Sequence, residues 1–258
     1  MKRKFLWLLC ILLFFGAMVC GLMFFRELAP RIEAEELYGE IRAQVFSGEN
    51  SAGEGQGADG AVVCSPDWET LARLNPDICG WIYGPGTSID YPVVQAADND
   101  FYLSRTVDRK PSIVGAIFLE SRNSRDFTDD VSVLYGHHIR GGRMFSSLSG
   151  YKEQSYYRKH PTLYLYLPGE TFQIRLFAGK VMSGDRDHFP LSFKDHEERE
   201  TWLDGLIASS TFQSGLRPSE EDRILVLCTC SYEYHNARYA LFGIMTKLDT
   251  ENMEEAAP

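Results

Sequence analysis

Residues 5–25 carry no charged side chain, come directly after Lys2-Arg3-Lys4, and are closed by Arg26. Few conformations are open to such a run. In hydrocarbon every backbone N–H and C=O must find a partner inside the segment, so a single apolar run has to be helical. At about 1.5 Å per residue it crosses a core of roughly 30 Å. The positive residues ahead of it set the N-terminus on the cytoplasmic side and everything after it outside. A cleaved signal peptide is the rival, but its apolar region is shorter and ends in a small-x-small site. Cys20 raises a lipoprotein cleavage reading, for which Val19 just before it is a poor fit. The expectation is an uncleaved single-pass anchor over residues 1–27 in the cell membrane, with the remaining chain extracellular.

Beyond the anchor the chain divides by composition. Residues 27–46 are charged, with apolar positions at Ile32, Leu37, Ile41 and Val45, which predicts a juxtamembrane helix starting after Pro30 and reading as a solvated stalk. Residues 47–60 hold five glycines and no large apolar side chain, the composition of a flexible spacer. Anchor, stalk-plus-spacer (28–63), a compact folded domain (64–250) and C-terminal tail (251–258) are the expected divisions. Within the domain Asp67 caps a short helix, 68–74, stopped at Asn75-Pro76. Extended segments with turn punctuation come next, at 80–83, 89–94, 116–120, 131–135, 162–167, 171–182, 224–229 and 239–247. Pro168-Gly169 makes a hairpin of the fifth and sixth. Trp202, Leu203, Leu206 and Ile207 recur on a helical period over 195–209, and a further helical turn is expected near 144–148. Eight short strands with a few helices predict a mainly β fold, an eight-stranded barrel decorated by helices.

The net charge of −10 excludes a polyanion-binding face and argues against nucleic acid. Six cysteines include Cys10 and Cys20 in the apolar run. The remainder, Cys64, Cys79, Cys228 and Cys230, form neither a disulfide framework nor zinc-like CxxC pairs. Chemistry concentrates at the end of the seventh strand. Strand side chains alternate, so Leu225 and Leu227 face one way while Val226, Cys228 and Cys230 face the other. A thiol leaving a buried strand stands on a rigid platform, and thiolate reactivity needs partial exposure and a nearby cation. Arg238 and His137, in Leu134-Tyr135-Gly136-His137-His138, are the groups on offer. Histidine exchanges a proton near neutrality. Arginine stays charged and can hold a carbonyl or an oxyanion. Together they predict acyl transfer: the thiolate attacks an amide carbonyl, His137 protonates the leaving amine, and a thioester remains. Water as second nucleophile gives a protease, an amine a transpeptidase.

These segments resemble the sortases, membrane-anchored cysteine transpeptidases of Gram-positive cell surfaces, and class B above all. The family's Thr-Leu-x-Thr-Cys motif is similar to Val226-Leu227-Cys228-Thr229-Cys230, with Arg238 downstream. Its tyrosine-glycine-histidine segment is similar to Tyr135-Gly136-His137, with Met144-Phe145 further on. Further matches are Asn75-Pro76-Asp77, Gly80-Trp81-Ile82, Ile89 through Gln95, Asp98 through Leu103, and 115–123. The helix between the sixth and seventh strands is a class B feature. The resemblance implies that Cys230, His137 and Arg238 are catalytic. It implies cleavage of an Asn-Pro-x-Thr type C-terminal sorting signal after Thr, with the acyl group passed to an amine of the peptidoglycan cross-bridge, or to a pilin lysine in polymerising members. It implies no metal and no organic cofactor. Asn99, Leu103 and Phe189 fall where class B enzymes contact the signal, although Leu103 and Phe189 also read as core packing. Cys228 occupies a variable position near the substrate.

Two departures stand out. The motif's first threonine is Val226, which loses a hydroxyl. Cys228 and Cys230 share a face, so either is a candidate nucleophile on geometry; motif register and the arginine spacing favour Cys230. A disulfide between residues two apart would be strained and easily reduced, which leaves a redox lock as an alternative. Other readings are a membrane-tethered thiol-disulfide oxidoreductase using Cys228 and Cys230, a non-catalytic surface-binding domain, and a metal site built from His137, His138 and the two cysteines. His138 competes with His137, but neighbouring residues on a strand face opposite ways.

Overall fold

The computed structural model describes residues 2–46, 55–56, 62–63, 65–139 and 141–248. Cys64, the C-terminal tail and most of the 47–60 spacer therefore lie outside the described residues; within the spacer region Gly55–Gln56 pairs with Val62–Val63 in a two-residue antiparallel ladder.

The eight expected strands close into a barrel. In chain order they are β1 (Ile78–Tyr83), β2 (Asp90–Val94), β3 (Ile117–Leu119) and β4 (Val131–Tyr135), then β5 (Thr162–Leu167), β6 (Glu170–Ser183), β7 (Arg223–Cys230) and β8 (Ala237–Lys247). Around the barrel they run β6-β8-β7-β4-β3-β2-β1-β5, with β5 closing on β6. Two neighbour pairs, β2 with β3 and β4 with β7, are parallel; the rest are antiparallel. Closure leaves no free sheet edge to be covered. Alternation sorts the side chains of β7 as expected. Leu225 and Leu227 join the barrel interior with Trp81, Leu134 and Leu241, all buried. Ile224, Val226 and Cys228 point outward into a second apolar cluster.

Helices cover that second cluster and the ends of the barrel. Trp68–Leu74 (α2) comes second in the chain after the N-terminal Lys2–Phe46 (α1) and is capped by Asp67, whose carboxylate accepts from the Glu69 and Thr70 amides. Gln154–Lys159 (α3) has no counterpart in the sequence pattern. His196–Ala208 (α4) lies between β6 and β7; Asp195 accepts from the Glu198 amide, and Glu197 and Glu198 sit in its first turn, where the helix dipole favours negative charge. Leu203 and Leu206 are buried against Val226 and Phe242, and the Trp202 ring meets Phe242 edge-on at 5.8 Å. The expected turn near 144–148 is a 3₁₀ helix, Phe145–Lys152, and a second 3₁₀ helix spans Phe101–Ser104.

The N-terminal region departs from expectation. Helix α1 is continuous and runs through Pro30, rather than dividing into an anchor and a separate stalk. It is long and apolar enough to cross a membrane, and residues 11–26 are exposed along it. Its C-terminal part is not a solvated stalk: Ala34, Tyr38, Ile41 and Val45 are buried on the barrel. The charged composition of 27–46 concealed this because the buried face is narrow and built around a tyrosine. Tyr38 meets Tyr91 edge-on at 5.3 Å, and Phe46 meets Trp81 at 5.2 Å. Arg42 pairs with Asp90 at 2.7 Å, and Arg143 pairs with Glu35. Burial pushes the Tyr38 hydroxyl far above its ordinary range, so it stays protonated; it donates to the Gly115 carbonyl at 3.0 Å and accepts from the Val107 amide at 3.4 Å.

Tyr38→Phe removes a hydroxyl shared by two buried backbone groups, and leaving such groups unpaired costs about 2 kcal/mol. For a domain of this size that lowers Tm by roughly 4–8 °C. Thermal unfolding of the full chain in detergent checks it; an unchanged Tm is the result a solvated stalk would give.

Candidate active site

The parallel pairing of β4 with β7 builds the site. Cys228 stands opposite Tyr135, the last residue of β4, and the two strands then leave the barrel side by side. Just beyond, the Gly136 amide donates to the Cys228 carbonyl at 3.1 Å, and the Thr229 hydroxyl donates to the Gly136 carbonyl at 2.8 Å. These two bonds carry the ladder past its last register pair and deliver His137 beside Cys230. Position 136 has to be glycine: a Cβ there would lie 2.4 Å from Ile117 Cδ1. On the other side of β7, antiparallel β8 begins at the same end of the barrel and places Arg238 opposite Cys230 in register.

His137, Cys230 and Arg238 thus line one cleft of about 270 Å³, together with Asn99, Leu103 and Cys228. A larger hollow of about 540 Å³ lies between α1 and residues 104–113, but it holds neither a thiol nor an imidazole. His137 Nε2 lies 2.7 Å from the Leu103 carbonyl. A carbonyl oxygen can only accept, so Nε2 carries hydrogen and Nδ1 is the nitrogen free to gain or lose a proton. The ring also packs over Gly115, whose φ of +65° suits glycine and where a Cβ would meet His137 Cδ2 at 2.9 Å. The same Gly115 carbonyl accepts from Tyr38, so α1 buttresses the bed on which the imidazole lies.

The two thiols differ in environment. Cys230 is exposed at the strand end, whereas Cys228 is 2% exposed beneath the outer cluster. Burial pushes the Cys228 thiol up to about 12, although the Arg238 guanidinium, which also hydrogen-bonds to it, pulls the other way. Cys228 therefore stays protonated at neutral pH, the opposite of what an attacking thiolate needs. Arg238 forms no ion pair among the described residues, so its charge is not spent on a carboxylate of its own chain.

Asn99 precedes the 3₁₀ turn at Phe101–Ser104 and Leu103 lies within it, on the far wall of the cleft. Leu103 is 40% exposed, which rules out core packing for that residue. A buried network holds the turn from behind: Asn75 donates to the Tyr102 hydroxyl at 2.8 Å, Tyr102 donates to Asp77 at 2.6 Å, and Arg109 pairs with Asp77 at 2.7 Å. Phe189 stands apart from the others. It lines a neighbouring hollow of about 70 Å³ that shares only Tyr135 and Arg238 with the cleft, and its ring packs 6.1 Å from Phe242. His138 is also outside the cleft; its ring meets Tyr232 edge-on at 5.2 Å, and burial and nearby Lys152 depress its basicity.

Several supporting residues were not predicted as site residues. Glu120 and Tyr135 lie under the wall formed by Asn99 and are bonded to each other. Lys152, at the end of the longer 3₁₀ helix, donates to Ser231 at 2.8 Å and pairs with Glu233, bracing the loop just after Cys230. Partial burial opposes ionisation of Glu233, but Lys152 and Ser231 hold its carboxyl down at about 2. Tyr135 was legible as the end of β4 and in the Tyr135-Gly136-His137 segment, and Glu120 falls within the 115–123 match, but neither signal assigned them a place in the site.

No protein-family model matches the chain. A curated relative, sortase B of Listeria monocytogenes, is 33% identical over 181 residues, covering 69% of this chain and 73% of that protein. A solved sortase B–substrate complex from Staphylococcus aureus is 30% identical with a TM-score of 0.67, covering 70% of this chain and 85% of the other. A crystal structure of sortase B complexed with triglycine is 27% identical with a TM-score of 0.72, covering 85% and 98%. Barrel, inserted helix, thiol cleft and relatives agree: the chain belongs to the class B sortases, cysteine transpeptidases of the sortase family.

Proposed function

We propose that this transpeptidase cleaves an Asn-Pro-x-Thr type sorting signal after Thr and passes the threonyl acyl group to an amine of the cell-wall cross-bridge. The observation that supports this most is the convergence on one open cleft of an exposed Cys230, His137 and an Arg238 with no ion pair among the described residues. Cys230 Sγ attacks the threonine carbonyl carbon and forms the S–C bond. The carbonyl electrons move onto oxygen, where Arg238 donates to the oxyanion. As the tetrahedral centre collapses the C–N bond breaks, and the proton on His137 Nδ1 goes to the leaving amine. An incoming amine then loses its proton to His137, attacks the thioester carbon and expels the thiolate. A relative bound to substrate and another bound to triglycine favour a peptide donor and an amine acceptor. In this reading Asn99, Leu103 and Cys228, which line the thiol cleft, contact the signal on the thiol side, and Phe189, which lines the neighbouring hollow, reaches it only from there. Residues 5–25 of α1 serve as the membrane anchor, with the barrel on the extracellular side.

Cys230→Ala should lower kcat/KM by at least about 10³-fold while Cys228→Ser stays within about tenfold. Steady-state assay of both variants with a fluorogenic Asn-Pro-x-Thr peptide and triglycine tests the assignment; the reverse pattern makes Cys228 the nucleophile. Arg238→Lys keeps the charge but not the planar fork, and should cost about 10²-fold in kcat with a smaller change in KM. Equal loss in an Arg238→Ala variant and none in Arg238→Lys would assign the residue a purely coulombic role. Mass spectrometry of products from a panel of sorting peptides and amines identifies the signal and acceptor; exclusive hydrolysis with every amine would make the chain a protease.

A further inference from the structure

Glu120 is 2% exposed, yet it carries a carboxylate at the base of the cleft wall. One oxygen accepts from Arg122 Nε at 2.8 Å; the other accepts from Asn99 Nδ2 at 2.9 Å and from the Tyr135 hydroxyl at 3.3 Å. Desolvation works against ionisation, but the Arg122 and Asn99 bonds hold the group below the usual carboxylate range. Its one cation, Arg122, has a 71% exposed side chain and does not enter the cleft lining. A carboxylate is acceptor-only, so it dictates the direction of every bond it receives. It turns the Asn99 amide with nitrogen inward, and the Ser121 amide, donating to Asn99 Oδ1 at 2.8 Å, forbids the flipped alternative. It also accepts the hydrogen bond of the Tyr135 hydroxyl. That leaves a ligand one N–H of Asn99 and the lone pairs of the Tyr135 oxygen, both on the wall of the thiol cleft.

We propose that Glu120 is a positioning residue that sets the hydrogen-bond polarity of this wall, fitting it to an extended peptide main chain that offers a C=O to Asn99 and an N–H to Tyr135. The inference rests on the reading of the cleft as the sorting-signal groove. It assigns the wall a preference for amide over ester linkage at the position facing Tyr135, because an ester oxygen brings a lone pair against a lone pair. Glu120→Gln offers an NH₂ where only acceptors stood and lets the Tyr135 hydroxyl reverse, while Asn99, still held by the Ser121 amide, loses its charged acceptor.

The test is steady-state transpeptidation by the full chain in detergent, with a fluorogenic Asn-Pro-Ala-Thr peptide and triglycine. Glu120→Gln should raise KM about tenfold, the scale of one hydrogen bond, with kcat changed less than about twofold. Alkylation of Cys230 by iodoacetamide should keep its parental rate, which a collapsed site would not allow. Asn99→Asp sets a second carboxylate against Glu120 and should be about tenfold worse than Asn99→Ala at pH 8, the gap closing toward pH 5.5 as the pair comes to share a proton. A parental KM in Glu120→Gln, a slowed alkylation that matches its loss of activity, or a pH-independent ratio of Asn99→Asp to Asn99→Ala each overturns the inference. A Cys230→Ala variant that still transpeptidates defeats the underlying reading of the cleft instead, so the two failures are told apart.

Discussion

The parallel ladder between β4 and β7 is the constraint on which the site depends. Parallel neighbours end at the same end of the barrel, so the chain leaving Tyr135 emerges beside the chain leaving Cys228. An antiparallel pairing of the same two strands would send Gly136-His137 to the opposite end from Cys230. A slip of one residue would also turn Leu225 and Leu227 out of the barrel interior, which the core forbids. The apolar pattern of β7 therefore fixes the position of the thiol, and the Thr229 hydroxyl on the Gly136 carbonyl fixes the imidazole relative to it. β8 completes the set because a strand antiparallel to β7 must start where β7 ends, and its second residue is Arg238.

On that platform burial, more than charge, separates the two cysteines. Both face the same side of β7, and Arg238 stands opposite Cys230 in register while its guanidinium pulls the Cys228 thiol down. For Cys228 desolvation outweighs the cation, moving the thiol from 9.0 to about 12. The outer cluster that produces this burial is built by Phe177, Phe242 and the inserted helix α4 with Leu203 and Leu206. Cys230 escapes it by lying at the very end of the ladder. The helix between β6 and β7 thus shares the apolar cluster that buries Cys228, without entering the cleft.

Strands of period two bounded by Asn-Pro, Pro-Gly and similar turns were legible in the sequence because each is determined locally. The same holds for α4, whose cap at Asp195 and apolar stripe are both local signals. Cys230, His137 and Arg238 were legible as chemistry-bearing types, and their motif spacing carried the resemblance. They are brought together by a crossover pairing between residues about ninety apart, which no local pattern encodes. Phe189 illustrates the limit: an aromatic residue near the right place in the chain packs into the outer cluster, one hollow away from the thiol. Glu120 illustrates the converse. A lone glutamate at the end of a short strand reads as solvent-facing, and only the folded chain shows three donors converging on it.

The docking of α1 has the same character and ties the ends of the molecule together. A charged helix beyond a membrane span is ordinarily a spacer, and its energetic role in the domain would be nil. Here Tyr38 places a buried hydroxyl on the Gly115 carbonyl, the 102–115 segment carries the Leu103 carbonyl that receives His137, and Gly115 itself is the surface under the imidazole ring. The helix that continues from the apolar run is thereby one wall of the bed in which the His137 imidazole lies. The helix continues through Pro30 without a break, so the apolar run and the segment docked on the barrel belong to one element.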